Sequence, residues 1–175
     1  MKKEELFSKT PADFAAAASA LISERDEGFF SEEGWRVFKE LLAEEQIPVV
    51  LKYLTLKKYS LGEVIWREGS NDASVALILS GRVSMMKETE IPEKQIVIGV
   101  YSPVTLVGEI SFVDGGRRPL TAKALTQAEL VMLSRADFAS LSAEMPHLGE
   151  RITKGLLQLL ATRLRTSYKR MAAIF

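Results

Sequence analysis

The chain has 175 residues, enough for one ordinary domain with an extension, and its 23 Lys plus Arg balance its 23 Asp plus Glu. This balance argues against a dedicated nucleic-acid binder, whose surface would be strongly basic. The absence of cysteine excludes disulfides, zinc fingers and iron–sulfur ligation. His147 is the single histidine, so no cluster of histidine ligands can form. We therefore predict neither a metal site nor an enzyme.

No apolar run approaches the ~18 residues that a membrane-spanning helix needs. The lysines near the N-terminus are not followed by the apolar stretch of a secretory signal. From these two observations we expect a soluble, cytoplasmic protein.

Residues 1–42 are predicted to form an N-terminal helical extension. Thr10 followed by Pro11 is typical of a helix start, and Trp35 and Phe38 belong to an apolar stripe at helical spacing. We expect this stripe to pack against the rest of the chain. The extension is either a regulatory or docking segment or an additional layer of core.

Residues 43–145 contain short apolar stretches separated by glycines. Stretches at 64–66, 75–79 and 130–133 have the length of strands, and several of them end close to a glycine. Short strands that follow one another without helices between them indicate an antiparallel sheet rather than a parallel one. We predict a mainly β fold, a jelly-roll-like antiparallel β-roll (a double-stranded β-helix) of about eight strands with flanking helices.

The C-terminal part of the chain is predicted to be helical. Ser134 and Asp137 have the spacing of a capping box, and Pro146 opens a last helix with apolar residues at helical spacing. A helix over 149–175 would be about 40 Å long, which is longer than one side of a small β-roll. We therefore predict that the helix of residues 146–175 joins two copies of the chain into a homodimer.

The segment 107–124 has the pattern of an anion-binding turn. Strand-like residues end at Gly108, and one helical turn, a Gly-Gly turn and two arginines follow. The front end of a helix carries unpaired backbone N–H groups, and Gly108 allows an anion to approach them. Arg118 can pair with phosphate oxygens through two parallel hydrogen bonds. Because Glu109 would repel a phosphate, we expect its carboxylate to accept a hydrogen bond from a sugar hydroxyl.

This segment resembles the phosphate-binding cassette of cyclic-nucleotide-binding domains, the family of the catabolite activator protein and of the regulatory subunits of cyclic-AMP-dependent protein kinase. Residues 62–65, 68–73 and 77–83 are similar to the early strands and turns of that family. The resemblance covers roughly residues 42–175 and contains no helix-turn-helix module. It implies a β-roll that binds a small-molecule cyclic nucleotide and signals through its last helix.

The resemblance also implies roles for individual residues. Gly108 and Ser111 would donate backbone amides to the cyclic phosphate, although alanine is usual where Ser111 stands. Glu109 would accept from the ribose 2′-hydroxyl, and Arg118 would pair with the charged phosphate oxygen. In the family the last helix or a neighbouring subunit covers the base, so residues 146–175 would also form a lid, with Thr166, Ser167 and Tyr168 as candidates for the covering residues. The predicted ligand-binding residues are Gly108, Glu109, Ile110, Ser111, Arg118 and Thr121.

Pro119 departs from the family pattern. The family usually places alanine, serine or threonine here, with a backbone N–H that faces the phosphate, and proline has no N–H. Losing one hydrogen bond to a charged group weakens binding roughly ten- to hundredfold. Position 119 also lacks the threonine that often accompanies a preference for cyclic GMP, which slightly favours cyclic AMP.

Three other interpretations stay open. Pro119 favours a degenerate domain that binds no nucleotide and acts as a dimeric scaffold. A second alternative is that the chain is the sensor half of a catabolite-activator-type transcription regulator without its DNA-binding module. Because the net charge is zero, direct contact with DNA is not expected. For individual residues, the alternatives are that Gly108 and Glu109 form a strand-end turn with a solvated carboxylate, and that Arg118 forms a surface ion pair with Asp114 as the candidate partner.

Overall fold

The computed structural model describes residues 49–50, 52–91, 94–103 and 105–172. The predicted helical extension over 1–42 lies outside these residues. Among them, eight strands precede the last two helices, and one short helix interrupts the strands after the sixth. The prediction of a β-roll with a long C-terminal helix is confirmed.

Two four-stranded antiparallel sheets form the roll. The first sheet has the order β1-β8-β3-β6 and the second the order β2-β7-β4-β5. The first sheet contains β1 (Leu54–Tyr59), β3 (Val75–Ser80), β6 (Thr105–Val107) and β8 (Ala128–Leu133). The second contains β2 (Val64–Trp66), β4 (Val83–Glu88), β5 (Gln95–Tyr101) and β7 (Thr121–Ala124). Apart from the consecutive strands β4 and β5, neighbouring strands of each sheet come from distant parts of the chain.

The hydrophobic core lies between the two sheets. Ile78 and Leu130 from the first sheet and Val83 and Ala122 from the second have no exposed surface. Burying a large aliphatic side chain stabilises a fold by roughly 1.5–3 kcal/mol. The turn after β3 needs glycine, because Gly81 has φ +80° and an added Cβ would lie 2.2 Å from the backbone oxygen of Gln127.

Three helices whose bounds lie within the described residues flank the roll: α1 (Glu109–Asp114), α2 (Arg135–Glu144) and α3 (Pro146–Ala172). The predicted N-cap of α2 is confirmed, because the Ser134 side chain accepts a hydrogen bond from the Asp137 N–H. Leu156 anchors the first half of α3 in a buried cluster with Val75 and Phe112. The second half of α3 continues beyond this cluster and passes over the region where α1 begins.

Candidate functional site

A cavity of about 620 Å³ lies between the second sheet, α1 and α3. This volume falls within the range of about 300–1,000 Å³ that is typical of small-molecule sites. Trp66, Met85 and Leu120 form part of its apolar wall, and α3 contributes residues from Leu160 to Arg170. The cavity can therefore hold a ligand with both an apolar and a charged part.

The backbone at Gly108 sets the polar end of the cavity. Gly108 follows β6 and has φ +83°, and an added Cβ would lie 2.5 Å from Arg118 Nη1 and 2.9 Å from the Ser74 carbonyl oxygen. Glycine is therefore the residue that fits this position. The next residue begins α1, and no side chain caps this helix start. The N–H groups of its first turn consequently have no partner within the helix.

Arg118 is buried beside this turn, with a relative exposure of 1%. Its Nη2 lies 3.2 Å from Asp72 Oδ2 and donates a 3.0 Å hydrogen bond to Ser74 Oγ. Its Nη1 donates to the Gly108 carbonyl oxygen at 3.1 Å, and its Cζ lies 3.9 Å from the ring centre of Trp66. The alternative of a surface ion pair with Asp114 is wrong, because the guanidinium is buried and Asp72 is its partner.

The ion pair between Arg118 and Asp72 changes the titration of both groups. Burial raises the pKa of Asp72, but hydrogen bonds from Ser74 and the charge of Arg118 outweigh this effect and lower the pKa below its usual value. Burial lowers the pKa of Arg118, and Asp72 opposes that change. Arg118 Nε is buried and has no hydrogen-bond partner among the described residues. The site thus contains a charged guanidinium with one N–H that lacks an acceptor.

Glu109 is paired with a residue of α3. Its carboxylate is almost fully buried, and its Oε1 lies 2.5 Å from Arg163 Nη1. Arg163 Nη2 also donates to the Leu106 carbonyl oxygen at 2.6 Å, and its Cζ lies 5.0 Å from the ring centre of Tyr101. These contacts connect the middle of α3 to the start of α1 and to β6. A group that changes the environment of Glu109 therefore also affects α3.

The structure brings most of the predicted ligand-binding residues together. Gly108, Glu109, Ser111 and Arg118 line the cavity, as does Ile110, which is 42% exposed. Ser111 is fully buried, and its Oγ lies 3.4 Å from Arg118 Nη1. The sixth predicted residue, Thr121, does not line this cavity, and its Oγ1 accepts a 2.9 Å hydrogen bond from the Glu68 N–H.

The candidate lid residues divide between the cavity and the surface. Thr166 and Ser167 line the cavity, whereas Tyr168 does not and is 57% exposed. Pro119 lies at the cavity wall next to Arg118, and its carbonyl oxygen is 3.5 Å from Lys87 Nζ. A residue without a backbone N–H therefore stands at the wall of the cavity.

Comparison with known families assigns the fold. The sequence profile described as "Cyclic nucleotide-binding domain" matches residues 56–145, about half of the chain. The chain belongs to this family. A crystal structure of a cyclic nucleotide-binding domain from Methylobacillus flagellatus KT has a TM-score of 0.71 and 28% identity, and the match covers 77% of this chain and 75% of that one. The catabolite activator protein of Thermus thermophilus has a TM-score of 0.63 and 28% identity, over 76% of this chain and 60% of that one.

Curated relatives of this cyclic nucleotide-binding domain include larger proteins. The cyclic AMP receptor protein of Thermus thermophilus is 31% identical over 71% of this chain, which spans 55% of that protein. A lysophospholipase of Aspergillus fumigatus is 32% identical over 62% of this chain, which spans 7% of the lysophospholipase. The family is one of ligand-binding domains, and the absence of enzyme activity stays a prediction. Within the described ranges, no helix has the length and apolar character needed to cross a bilayer; the cytoplasmic location also stays a prediction.

Four side chains of this cyclic nucleotide-binding domain were not predicted as site residues. Trp66, Asp72 and Ser74 surround the Arg118 guanidinium, and Arg163 pairs with Glu109. Asp72 lies in a segment whose resemblance to the family was noted, so its position offered a signal. The sequence offered no signal for Arg163, because periodicity does not show which turn of α3 faces the cavity.

Proposed function

We propose that the chain is a sensory and regulatory module that binds a cyclic nucleotide in this cavity, preferring cyclic AMP to cyclic GMP, and signals through α3. The observation that carries the proposal is the buried Arg118, whose Nε lacks an acceptor at the edge of a cavity that also contains the uncapped start of α1. A buried N–H without an acceptor is costly. A phosphate oxygen in the cavity would supply that acceptor.

Each part of the ligand has a counterpart in the cavity. The cyclic phosphate would lie against Arg118 and the amides between Gly108 and Ser111. Hydrogen bonds to a charged phosphate are stronger than those between neutral groups. The ribose 2′-hydroxyl would donate to Glu109. The base would then extend toward Thr166 and Ser167 along the apolar wall. The preference for cyclic AMP rests on the absence of a threonine after Arg118.

The signal would pass through the contact between Glu109 and Arg163. Because this ion pair connects the cavity to α3, a ribose hydroxyl at Glu109 changes the contacts that hold the helix. A ligand shifts a conformational equilibrium only by the difference between its affinities for the two states. In this proposal, the difference in affinity arises because Glu109 exchanges Arg163 for the ribose hydroxyl when the ligand binds.

Titration calorimetry of refolded, nucleotide-free protein with cyclic AMP and cyclic GMP tests the proposal. We expect saturable binding of cyclic AMP in the range of about ten to several hundred micromolar, because Pro119 removes one amide donor. Pro119→Ala restores this donor and should bind cyclic AMP roughly ten- to hundredfold more tightly.

Pro103→Ala is the matched control, because Pro103 is exposed and does not line the cavity. If the wild type and Pro119→Ala are folded and neither binds up to millimolar nucleotide, the binding proposal is wrong. That result would favour the scaffold, which is the second candidate because of Pro119.

We also propose a homodimer through α3. Leu157, Leu164, Tyr168 and Met171 are between 51% and 57% exposed and recur on the helix at intervals of seven, four and three residues. Such an apolar stripe is the seam of paired helices. The alternative that the chain is the sensor half of a longer regulator of the catabolite-activator type also remains a proposal. It is supported by the length of the match, which spans about half of the Thermus receptor protein.

Sedimentation velocity tests the homodimer. The wild type should sediment as a dimer, and Leu157→Glu should sediment as a monomer, because a carboxylate in the seam loses its hydration. Leu157 does not line the cavity, so cyclic AMP binding should be retained in the monomer. Gln158→Glu adds the same charge at the neighbouring exposed position and should leave the dimer intact. A monomeric wild type at all concentrations would contradict the prediction.

A further inference from the structure

The cavity contains a third arginine that the proposed function does not use. Arg170, near the end of α3, lines the same cavity as Arg118 and Arg163. Arg118 is paired with Asp72, and Arg163 with Glu109. Across residues 49–50, 52–91, 94–103 and 105–172, no carboxylate forms an ion pair with Arg170. Among the described residues, Arg170 is therefore the arginine of the cavity that has no carboxylate partner.

Arg170 lies two turns of α3 beyond Arg163, which contacts the start of α1. It follows Arg163 by seven residues, so two helical turns place it on the same face and about 10 Å further along the axis. Arg163 already lies beside Glu109, at the end of the cavity where α1 begins. A phosphate group held by Arg118 and the first turn of α1 leaves Arg170 without an anion.

The surroundings of Arg170 increase its attraction for a second anion. From Arg163 to the end of α3 the helix has four basic residues and no acidic one, although the whole chain has zero net charge. Ser167 lines the cavity one turn before Arg170 and adds a hydroxyl donor. The end of the cavity near Arg170 is thus positively charged and has a neutral hydrogen-bond donor beside it.

From these observations we infer that the cavity takes a nucleotide with two separate phosphate groups, one at Arg118 and the second at Arg170. This inference rests on the proposed function, because it assumes that a cyclic phosphate or its equivalent occupies the Arg118 end. Two ligand classes share the required chemistry: a cyclic dinucleotide, and a single nucleoside with two separate phosphates. Arg170 is then the residue that selects such a ligand over cyclic AMP, which fills the Arg118 end alone.

A different role for Arg170 makes a different prediction. A guanidinium can also stack on the face of a base. In that case its contribution would be the same for every ligand with the same base, whatever the number of phosphates. Ligands that share adenine and differ in phosphate count therefore separate the two roles.

Calorimetric titration with cyclic AMP, cyclic di-AMP and adenosine 3′,5′-bisphosphate tests the inference. For the wild type we expect at least one of the two-phosphate ligands to bind about tenfold more tightly than cyclic AMP, the gain from one charge-assisted contact at an exposed arginine. Arg170→Gln should remove this tenfold advantage and leave the affinity for cyclic AMP unchanged. Arg165→Gln removes an exposed charge of α3 that does not line the cavity, and it should keep the advantage.

The possible outcomes are distinct. If Arg170→Gln weakens cyclic AMP and the two-phosphate ligands equally, or if the wild type binds all three equally, the inference is overturned and the proposed function stands. If none of the three ligands binds to folded protein, both the inference and the proposed function are wrong. Which two-phosphate ligand gains affinity identifies its class, because cyclic di-AMP carries its second phosphate on a second nucleotide.

Discussion

Replacement of Arg118 with alanine is expected to abolish detectable cyclic-nucleotide binding and to lower the free energy of unfolding by about 3 kcal/mol, near the lower end of the range for breaking a buried ion pair. The lower end applies because Asp72, the partner left behind, is 44% exposed and can be partly rehydrated. The side chain also fills the space against Trp66 and donates to Ser74 Oγ and the Gly108 carbonyl oxygen. Its removal therefore affects the binding turn as well as the ligand contact.

Thermal unfolding and calorimetry on the same samples separate the two effects of this change. Arg117→Ala is the matched control, because Arg117 is exposed and its side chain donates to the Gly69 carbonyl oxygen on the surface. It should change neither stability nor affinity by more than a few tenths of a kcal/mol. Arg118→Lys keeps the charge but not the planar fork, so it should fold and still lose most of the affinity. Unchanged affinity in a folded Arg118→Ala variant would contradict the site.

The strands and turns of the roll could be predicted because their signals are local. The apolar run of β3, the alternation of Val83 and Met85 with polar residues in β4 and the turn at Gly81 are properties of a few adjacent residues. The short α1 was predicted for the same reason, since Gly108 and Gly115 bound it on both sides and both adopt left-handed conformations. These local signals would predict the same strands and turns in any arrangement of the two sheets.

The partners of the site residues could not be predicted because they depend on sheet register. β3 pairs with β6 so that Ala76 lies opposite Val107, and this pairing places Ser74 beside the turn at Gly108. One sequence does not show which strands pair, so neither Ser74 nor Asp72 could be assigned to Arg118. Arg163 is a harder case, because its contact with Glu109 depends on the path of α3 over the roll. The candidate anion-binding turn could therefore be predicted from the sequence, but the side chains from other elements that surround it could not.

Loss of discrimination for the ribose hydroxyl is the expected result of Glu109→Gln. In the wild type, cyclic AMP should bind roughly ten- to hundredfold more tightly than 2′-deoxy cyclic AMP, because the hydroxyl donates to a charged carboxylate. In Glu109→Gln the ratio should fall to within about threefold, since the amide accepts a weaker hydrogen bond. Glu150→Gln removes an exposed carboxylate from α3 and should leave the ratio as in the wild type. An unchanged ratio in Glu109→Gln would mean that the ribose lies elsewhere.

Arg163→Gln then distinguishes two ways in which Glu109 can contact Arg163 and the ribose hydroxyl. If the ribose hydroxyl displaces Arg163, the ligand must first break the ion pair, and removing the arginine should tighten cyclic AMP binding. If the two carboxylate oxygens hold Arg163 and the hydroxyl together, the arginine supports the ligand contact, and the same change should weaken binding. Only displacement links the ligand to a movement of α3, because it removes the ion pair with Glu109, one of the contacts that hold this helix. Tighter binding in Arg163→Gln is the result we expect from a sensor that signals through α3, and weaker binding would contradict that route.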